Sequence, residues 1–480
     1  MAAPIRRNSD AGRLFFGGYT WLCGTIQILP SIYPGNSLSV RLHGEVPLQK
    51  RNQLIFSASI LGLASLLLVA CGGVSSSMQR TSGLVVSPSS DSIGIGANRQ
   101  FTATVNGVAT ANVTWSVVAS GGGTIDSTGL YIAPATIPSP ATVTLTATEA
   151  GGMQTSAMVT VLGSDPLGTV TASATTTCPP GGVDGGTCYQ TTVSCDGVAD
   201  LNTYLKVNSP AGTPLGTVMF GIGSGGNGLY DTGFQFGTTA VQNVLLGGYT
   251  TVQVSFGQPF TDATPNGWLT GPGGVRRLAC RYATISQWVH DNIHVGSTTA
   301  PMCATGNSAG SGAVAYAISH YGMDSIFSFV ETTSGPPMAR IDQGCICSSN
   351  VSEPTNCNQG TLPMCYGVQD SQIIDTAYPQ PLCTNAVNGN VGANLAGLFL
   401  SDSLIDGATT SFNFPKTNVH VLFGGQDNSA AVPQGTVWAG AVTSNKSQAC
   451  VPDAPHPIPD VLDGATTIAS DILSLCKLQP

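Results

Sequence analysis

One serine in this chain of 480 residues stands in a local sequence that suits a nucleophile. Ser308 belongs to a Gly-Asn-Ser-Ala-Gly run at residues 306–310, between an apolar strand pattern at 302–305 and a helical pattern at 312–320. On a sharp strand-to-helix turn, small neighbours avoid clashes and the serine Oγ projects into the open. The backbone N–H groups of the first helical turn then face developing negative charge. The pattern therefore predicts that Ser308 is an exposed nucleophile.

A serine hydroxyl is scarcely ionised at neutral pH, so Ser308 requires a base that accepts its proton. We predict that His456 is this base, because it lies in the Pro-rich loop 453–459 directly before the last helical pattern. Four other histidines of the body lie at helix ends or inside a strand: His290, His294, His320 and His420. Buried histidines in such places usually hydrogen-bond to their surroundings, so these four are expected to be structural.

An acidic residue is needed to orient the imidazole and to stabilise its protonated form. Asp427 follows the strand pattern at 419–424, where its alternative role is to cap the next turn. Two other acids compete with it. Asp453 is too close to His456 in sequence to sit across a pocket, and Asp342 follows an earlier strand. We predict that Asp427 is the acid.

The order of these elements resembles that of the α/β-hydrolases. An apolar strand pattern at 217–221 runs into a Gly-rich loop at 222–228, and Ser308, Asp427 and His456 follow in that order. The resemblance implies a hydrolase that works through an acyl-enzyme, most often on carboxylic esters. Ser308 would attack, His456 would carry the proton and Asp427 would orient His456. The resemblance implies neither a metal nor an organic cofactor.

The resemblance also implies two backbone donors for the oxyanion that forms when a serine attacks a carbonyl. One is the N–H of Ala309, directly after the nucleophile, and the other comes from the loop that holds Gly223, Ser224 and Gly225. The loop lacks the histidine of the lipase His-Gly-Gly-Gly form, so the particular donor stays open. Phosphate binding is the weaker interpretation of these glycines, because no Lys-Ser/Thr pair follows them.

Strand and helix patterns alternate along the C-terminal part of the chain. Buried strands are predicted at 218–222, 251–256, 302–305, 326–331 and 419–424, and helices at 275–293, 312–320 and 461–475. This alternation favours an α/β fold with a doubly wound parallel sheet. Together with this alternation, the resemblance described above implies that residues 178–480 form an α/β-hydrolase domain. A cysteine-rich stretch at 341–409 interrupts the alternation and is expected to form a lid over the pocket.

The cysteines indicate an oxidising compartment. Of fourteen cysteines, twelve lie between Cys178 and Cys476. An even number in an exported domain predicts a disulfide framework, whose pairing the sequence leaves open. The alternative is a zinc site formed by the cysteines at 345, 347, 357 and 365. The region lacks both a Cys-x-x-Cys pair and an interleaved histidine, so we expect no metal there.

Residues 82–163 differ in composition from the part that follows. They hold no cysteine and show apolar-polar alternation at 100–105, 111–117, 143–148 and 157–161, which predicts a β-sandwich. Two parts of this module resemble bacterial Ig-like domains of the group 2 type. They are the region around Trp115 and the run Gly-Thr-Ile-Asp-Ser-Thr-Gly-Leu-Tyr at 123–131. Trp115 is expected to be core rather than a sugar-stacking residue. We interpret the module as a spacer, followed by a linker at 164–177.

The N-terminal part carries a targeting pattern. A short basic region at 50–53 precedes an apolar run that ends Leu68-Val69-Ala70-Cys71. This resembles the lipoprotein signal, which implies that residues 50–71 are a signal peptide, that Cys71 is lipidated, and that 72–81 are a tether. An ordinary signal peptide or a membrane anchor is the alternative. Residues 1–49 have no clear role, and the true start could lie near Val46 or Leu48.

The charge composition limits the binding partners that we expect. The net charge is −9 and no Lys/Arg cluster occurs outside the targeting region, so nucleic-acid binding is not expected. The expected partners are an ester substrate (a polymer, a polysaccharide acyl ester or a lipid) and a membrane reached through Cys71. The expected location is the bacterial cell envelope, with lipid anchoring or secretion. The alternative function is a non-catalytic surface adhesin that binds through the Ig-like module.

Overall fold

The computed structural model describes residues 83–479, apart from 225, 258–266, 348–351, 355–356, 358–359, 393 and 407–411. The N-terminal extension, the predicted signal peptide with Cys71, the tether and Gly225 therefore lie outside the described residues. Within the described part of the chain, no helix is both long and apolar enough to cross a membrane.

Residues 84–162 form a β-rich N-terminal region, here called the β-region. Its strands are β1 (Leu84–Ser87), β2 (Ser90–Gly94), β3 (Asn98–Gln100), β4 (Thr102–Val105), β5 (Val108–Ala109), β6 (Val113–Val117), β7 (Thr124–Ile125), β8 (Leu130–Ile132), β9 (Thr142–Glu149) and β10 (Gln154–Leu162). They form three sheets in the orders β1-β4-β5, β2-β10-β9-β6 and β3-β8-β7. Alternate residues point into one core that includes Phe101, Tyr131 and Leu145, and Trp115 packs partly buried against it.

One nine-stranded sheet forms the centre of the rest of the chain. Its strands are β11 (Thr169–Thr176), β12 (Thr187–Ser194), β13 (Leu201–Asn208), β14 (Thr217–Gly221), β15 (Thr250–Phe256), β16 (Met302–Asn307), β17 (Phe327–Thr333), β20 (Asn418–Gly424) and β21 (Lys446–Val451); β18 (Ser352–Pro354) and β19 (Thr361–Pro363) form a separate hairpin. The spatial order is β11-β12-β13-β15-β14-β16-β17-β20-β21. Strands β15, β14, β16, β17, β20 and β21 run parallel, whereas β11, β12 and β13 pair antiparallel with their neighbours.

Two expectations from the sequence are corrected by this sheet. The sheet is mixed rather than wholly parallel, because three strands precede the β/α alternation and need no crossover helix. Residues 164–177, expected to be a linker, contain β11, which pairs with β12 at the sheet edge. Strand β11 has a single branched aliphatic residue, Val170, which packs partly buried against the core, and its other residues are Thr, Ala and Ser, which is why its sequence resembled a linker.

Helices connect the parallel strands. They are α1 (Tyr230–Gly233), α2 (Gly237–Leu246), α3 (Val275–Leu278), α4 (Cys280–Asn292), α5 (Ala309–His320), α6 (Ile341–Ile346), α7 (Val368–Asp375), α8 (Leu382–Val387), α9 (Leu395–Asp402), α10 (Ala431–Ala441) and α11 (Leu462–Leu475). Helix α11 buries Ala465, Ile468, Ala469 and Ile472, the spacing of a single apolar stripe. That stripe packs with α2 against one sheet face, in a core shared with Phe329 and Leu422.

The predicted disulfide framework is confirmed. Six bridges join Cys178–Cys188, Cys195–Cys280, Cys303–Cys476, Cys345–Cys383, Cys347–Cys365 and Cys357–Cys450. The alternative of a zinc site at 345, 347, 357 and 365 is excluded, because each of these sulfurs is already paired. The bridge between Cys303 and Cys476 joins β16 to the end of α11 across 173 residues.

The β-region is docked onto the α/β part through buried polar contacts. The Arg276 guanidinium lies 2.6 Å from Asp165 and 2.7 Å from Asp406, with 3% of its side chain exposed. It also donates to the carbonyl of Ile95 in the β-region. Nearby, Asn98 Nδ2 donates to Asp402 Oδ1 at 2.8 Å. These buried contacts join the β-region to the α/β part, and the role of the module as a spacer stays a prediction.

Candidate active site

The predicted nucleophile occupies a strained turn between β16 and α5. Ser308 has φ 54° and ψ −122°, a conformation that side-chain-bearing residues rarely adopt. The two glycines of the motif permit the turn. A Cβ on Gly306 would lie 2.5 Å from the carbonyl carbon of Gly310, and a Cβ on Gly310 would lie 2.5 Å from the carbonyl oxygen of Ile222. Only glycine therefore fits at either position.

Backbone contacts fix the turn. The Ser308 N–H donates to the Thr333 carbonyl at 2.9 Å, and the Ser311 hydroxyl donates to the Ser308 carbonyl at 2.5 Å. Helix α5 begins at Ala309, three residues earlier than the sequence pattern predicted. The Ala309 N–H therefore belongs to the free first turn of the helix, whose donors lack intrahelical partners.

The structure brings His456 and Asp427 together. His456 Nδ1 lies 2.8 Å from Asp427 Oδ2, and the Asp427 side chain is 1% exposed, whereas that of His456 is 33% exposed. The N–H of Ser429 donates to Asp427 Oδ1 at 2.9 Å, and its hydroxyl lies 3.2 Å from His456 Nδ1. The Asp427 carboxylate is thus bound by both His456 and Ser429, and the His456 imidazole lines the cleft that also holds Ser308.

These contacts raise the pKa of His456 and lower the pKa of Asp427. Burial alone would lower the pKa of His456, but the hydrogen bond and charge of Asp427, with a contribution from Asp370, raise it above the ordinary value. Burial alone would raise the pKa of Asp427, but the hydrogen bond from His456 and its charge lower it. A carboxylate with a lowered pKa beside an imidazole with a raised pKa is the pairing that stabilises a protonated histidine.

Asn307, the residue before the nucleophile, links the two halves of the site. Its Oδ1 accepts from the Thr333 hydroxyl at 3.0 Å and from the Ile458 N–H at 3.3 Å. Its Nδ2 donates to the carbonyl of His456 at 3.4 Å. The side chain is 2% exposed, so these bonds replace those it would make to water. Sequence reasoning missed this role, because nothing local to Asn307 indicates that the loop after β21 returns to it.

The Gly-rich loop after β14 lies beside the nucleophile. A Cβ placed on Gly223 would lie 3.3 Å from Ser308 Cβ, so the loop backbone approaches the serine closely. The Gly226 N–H donates to the Gly223 carbonyl at 3.0 Å, which closes a tight turn, and exposed Ser224 has φ 50° within it. Gly225 lies outside the described residues. The loop that holds Gly223 and Ser224 thus lies beside Ser308, and its role as a source of an oxyanion donor stays a prediction.

A cleft of about 190 Å³ opens above these residues. Ser308, His456 and the Gly-rich loop line one side of it, and Asp370 and Ile373 of α7 line the other. A smaller cavity continues from Ser308 towards Met338 and Tyr366. The stretch 341–409, expected to be a lid, therefore supplies part of the cleft wall through α7.

The other candidate residues have different partners. His320 is buried and its Nε2 lies 3.1 Å from the Leu404 carbonyl, and His294 Nδ1 lies 3.0 Å from the Thr217 hydroxyl. Asp342 pairs with Arg340 at 2.6 Å, and Asp453 is exposed in a turn. None of these four residues lines the cleft.

Asp370 is a residue of the site that the sequence did not indicate. Its carboxylate contributes to raising the pKa of His456, and its own pKa is raised by burial. We predict that Asp370→Asn moves the acidic limb of the pH profile of kcat/KM to lower pH, because less negative charge favours neutral His456. Asp453→Asn, an exposed change on the His456 loop, is the matched control and should leave the limb in place. An unmoved or upward-shifted limb in Asp370→Asn would contradict the prediction.

Structural neighbours of the chain are esterases and related hydrolases. Est1E from Butyrivibrio proteoclasticus aligns at 11% identity over 61% of this chain and 99% of its own, with a TM-score of 0.37. Acetyl xylan esterase 1 from Thermoanaerobacterium sp. aligns at 15% identity over 64% and 88%, with a TM-score of 0.39. Dienelactone hydrolase from Anabaena variabilis aligns at 15% identity over 60% and 96%, with a TM-score of 0.33. No protein-family model and no curated protein sequence matches the chain.

Proposed function

We propose that this protein is a serine ester hydrolase of the α/β-hydrolase class. The observation that carries the proposal is the arrangement of three side chains. Ser308 sits on a strained elbow, His456 faces the same cleft, and buried Asp427 holds His456 Nδ1 at 2.8 Å. The mostly parallel sheet, with the elbow at the end of inner strand β16, and the chain order serine, acid, histidine support the same class.

The reaction follows from the positions of the groups. The Ser308 hydroxyl attacks the ester carbonyl while His456 accepts its proton, and His456 then returns the proton to the departing alcohol. Water attacks the resulting acyl-enzyme with His456 again as the base. Asp427 keeps the imidazole in the orientation and tautomer that present Nε2 to Ser308.

The two turns beside Ser308 supply the donors for the oxyanion. The Ala309 N–H lies in the first turn of α5, and we assign the second donor to the Gly-rich loop, because a Cβ on its Gly223 would lie 3.3 Å from Ser308 Cβ. Donors of this kind stabilise the tetrahedral intermediate because they are already oriented when charge develops. The removal of one such donor in a serine enzyme costs about 3–4 kcal/mol of transition-state stabilisation.

The proposed substrate is a carboxylic ester. Three classes of ester are candidates: a polymer, a polysaccharide acyl ester and a lipid. The cleft is small and carries the Asp370 carboxylate on the wall opposite the nucleophile. A negative charge close to this wall would be repelled, so neutral acyl groups fit better than anionic ones. A panel of chromogenic esters with neutral and anionic acyl groups of equal length measures this preference.

The test of the function is fluorophosphonate labelling of the folded protein. This probe reports an activated serine whatever the natural substrate is, and it should label Ser308 in wild type and nothing in Ser308→Ala. Ester hydrolysis by the same two proteins should follow the labelling. The alternative function is a non-catalytic adhesin that binds through the β-region, which we propose to be an Ig-like domain. An unlabelled, folded wild-type protein would favour that alternative.

We also propose that the chain is anchored to the cell envelope through a lipid on Cys71. The Leu-Val-Ala-Cys sequence behind an apolar run carries this proposal, and the six disulfides fit an exported protein. Cys71→Ser should abolish fatty-acid labelling in cells and leave uncleaved precursor, because the thiol is the acceptor of the lipid. Labelling and processing equal to wild type in that variant would exclude the anchor.

A further inference from the structure

Four polar side chains form a row across four neighbouring parallel strands. In the register of the sheet, Thr305 of β16 pairs with Glu331 of β17, Glu331 with His420 of β20, and His420 with Ser447 of β21. Residues paired in this way point to the same face of the sheet. The four side chains interrupt a face that is otherwise apolar, as the neighbouring core residues Phe329 and Leu422 show.

The final helix adds a fifth polar side chain to this row. Asp471 of α11 places its Oδ2 3.4 Å from His420 Nε2. Glu331, His420 and Asp471 each offer one ligand atom, and these three atoms lie within 4.8 Å of one another. Glu331 is fully buried and His420 is 4% exposed, so two carboxylates and an imidazole meet in the interior.

The atoms that face one another in this cluster lack hydrogen-bond partners. Glu331 Oε1, His420 Nε2 and Asp471 Oδ2 are each buried without one. A buried polar atom without a partner calls for an explanation, and a bound ion is one. Here three such atoms belong to metal-binding side chain types and lie within 4.8 Å of one another. The 3.4 Å between His420 Nε2 and Asp471 Oδ2 does not form a hydrogen bond. It equals the separation of about 3.4 Å between two ligands that bind one zinc ion tetrahedrally at about 2.1 Å.

The remaining atoms of the same side chains are already oriented. The Thr305 hydroxyl donates to Glu331 Oε2 at 2.8 Å, which turns Oε1 towards the cluster. His420 Nδ1 lies 2.7 Å from the Ser447 hydroxyl. An imidazole whose Nδ1–H donates to such an oxygen presents the Nε2 lone pair. Metal-binding histidines and carboxylates are oriented in this way by hydrogen bonds behind them.

We propose that Glu331, His420 and Asp471 bind a zinc ion. A nitrogen and two carboxylate oxygens in a tetrahedral arrangement suit zinc, whereas calcium takes six to eight oxygen ligands. The two carboxylates neutralise the charge of the ion. Three protein ligands leave the fourth position of a tetrahedral zinc ion for a further ligand such as water.

The site joins the sheet to the last helix. Its ligands come from β17, β20 and α11, and the Cys303–Cys476 bridge fastens the same helix to β16. None of the three ligands lines the catalytic cleft. The ion would thus lie outside the cleft that holds Ser308 and His456, where it would link the sheet to the last helix.

Zinc binding is tested on the full chain, purified in detergent without a histidine tag. Free thiols are alkylated without reduction, the protein is treated with EDTA and dialysed, and zinc is added. Bound zinc is measured by mass spectrometry after gel filtration, and affinity by calorimetry. The expected result is one zinc per wild-type chain and a melting temperature raised by zinc, because zinc binds the folded state.

Three variants and one control decide the outcome. His420→Gln and Asp471→Asn each remove a ligand and should abolish stoichiometric binding, and Ser447→Ala should weaken it by about 10–100-fold. Asp471 is partly exposed, so Asp471→Asn carries the test should His420→Gln fail to fold. His290→Gln is the control, because His290 and His294, with ring centres 5.8 Å apart, are a second place where zinc could bind. It should bind zinc as wild type does.

Two results would overturn the proposal. A folded wild-type chain that binds less than about a tenth of an equivalent of zinc would make the cluster a buried histidine–carboxylate ion pair. Stoichiometric zinc in folded Asp471→Asn, or its loss in His290→Gln, would place the ion elsewhere. Neither result depends on ester hydrolysis by Ser308, so the test of zinc binding is independent of the proposed function.

Discussion

Folded Ser308→Ala protein should lose ester hydrolysis almost completely, with kcat lowered by roughly 10⁶-fold. His456→Ala should lose about as much, and the double variant should be no worse than either alone. The physical reason is that the serine and the base act in one step, so removing either abolishes that step. Asp427→Asn should be impaired less severely, because Asp427 orients His456 and does not touch the substrate. Initial rates on a chromogenic ester, with circular dichroism as the check of folding, measure all four proteins.

His290→Gln provides the matched control for this series. His290 is a half-buried surface histidine that pairs with Asp291 and does not line the cleft. Its substitution should leave the rate unchanged. Full activity in folded Ser308→Ala would refute the proposed mechanism, whereas full activity in folded His456→Ala alone would assign the base to another group.

Arg276→Met should destabilise the protein by about 3–5 kcal/mol. Burial alone would lower the pKa of the Arg276 guanidinium, but Asp165 and Asp406 raise it, so the residue stays charged. Without the guanidinium, two carboxylates remain in the interior with no cation between them. Asp165 also accepts from the Gly94 N–H of the β-region, so the loss should loosen the docking of that region as well. Thermal melting under non-reducing conditions measures the change.

Two further variants separate this effect from the loss of any arginine. Arg340→Met removes a guanidinium that is 26% exposed and paired with Asp342, and it should cost no more than about 1 kcal/mol. Adding Asp165→Asn and Asp406→Asn to Arg276→Met should restore part of the lost stability, because the uncompensated charges disappear. A melting temperature of Arg276→Met equal to wild type would show that the buried cluster contributes little.

The local parts of the site were readable from the sequence, because each is encoded by neighbouring residues. The glycines around Ser308, the strand before Asp427 and the Pro-rich loop of His456 are short patterns with a direct structural cause. Asn307, Ser429 and Asp370 were not predicted. Their roles depend on where distant loops return, and no local pattern records that.

The difference between local patterns and distant contacts also explains which parts of the fold could be predicted. Five of the six parallel strands were found, because strands buried on both faces are apolar runs. Strand β21 was not predicted, because most of its residues are partly or fully exposed and its sequence is not an apolar run. The neighbour order of the parallel strands, the antiparallel strands at the edge and the disulfide pairing depend on chain crossings that periodicity does not encode. The row from Thr305 to Ser447 is the clearest case. Each of its residues looks like a single polar interruption of a strand, and only the register between strands places them side by side.

The bridge between Cys303 and Cys476 has a consequence for how the protein matures. Chains are synthesised from the N-terminus, and their parts begin to fold in that order. The strand that leads to Ser308 is therefore made long before its bridge partner, which follows 173 residues later. Until then the serine has neither the histidine that would activate it nor the helix that closes the sheet behind it. The hydroxyl of Ser308 therefore meets its proposed base only after the loop at 453–459 has been synthesised, and the bridge to Cys476 forms later still.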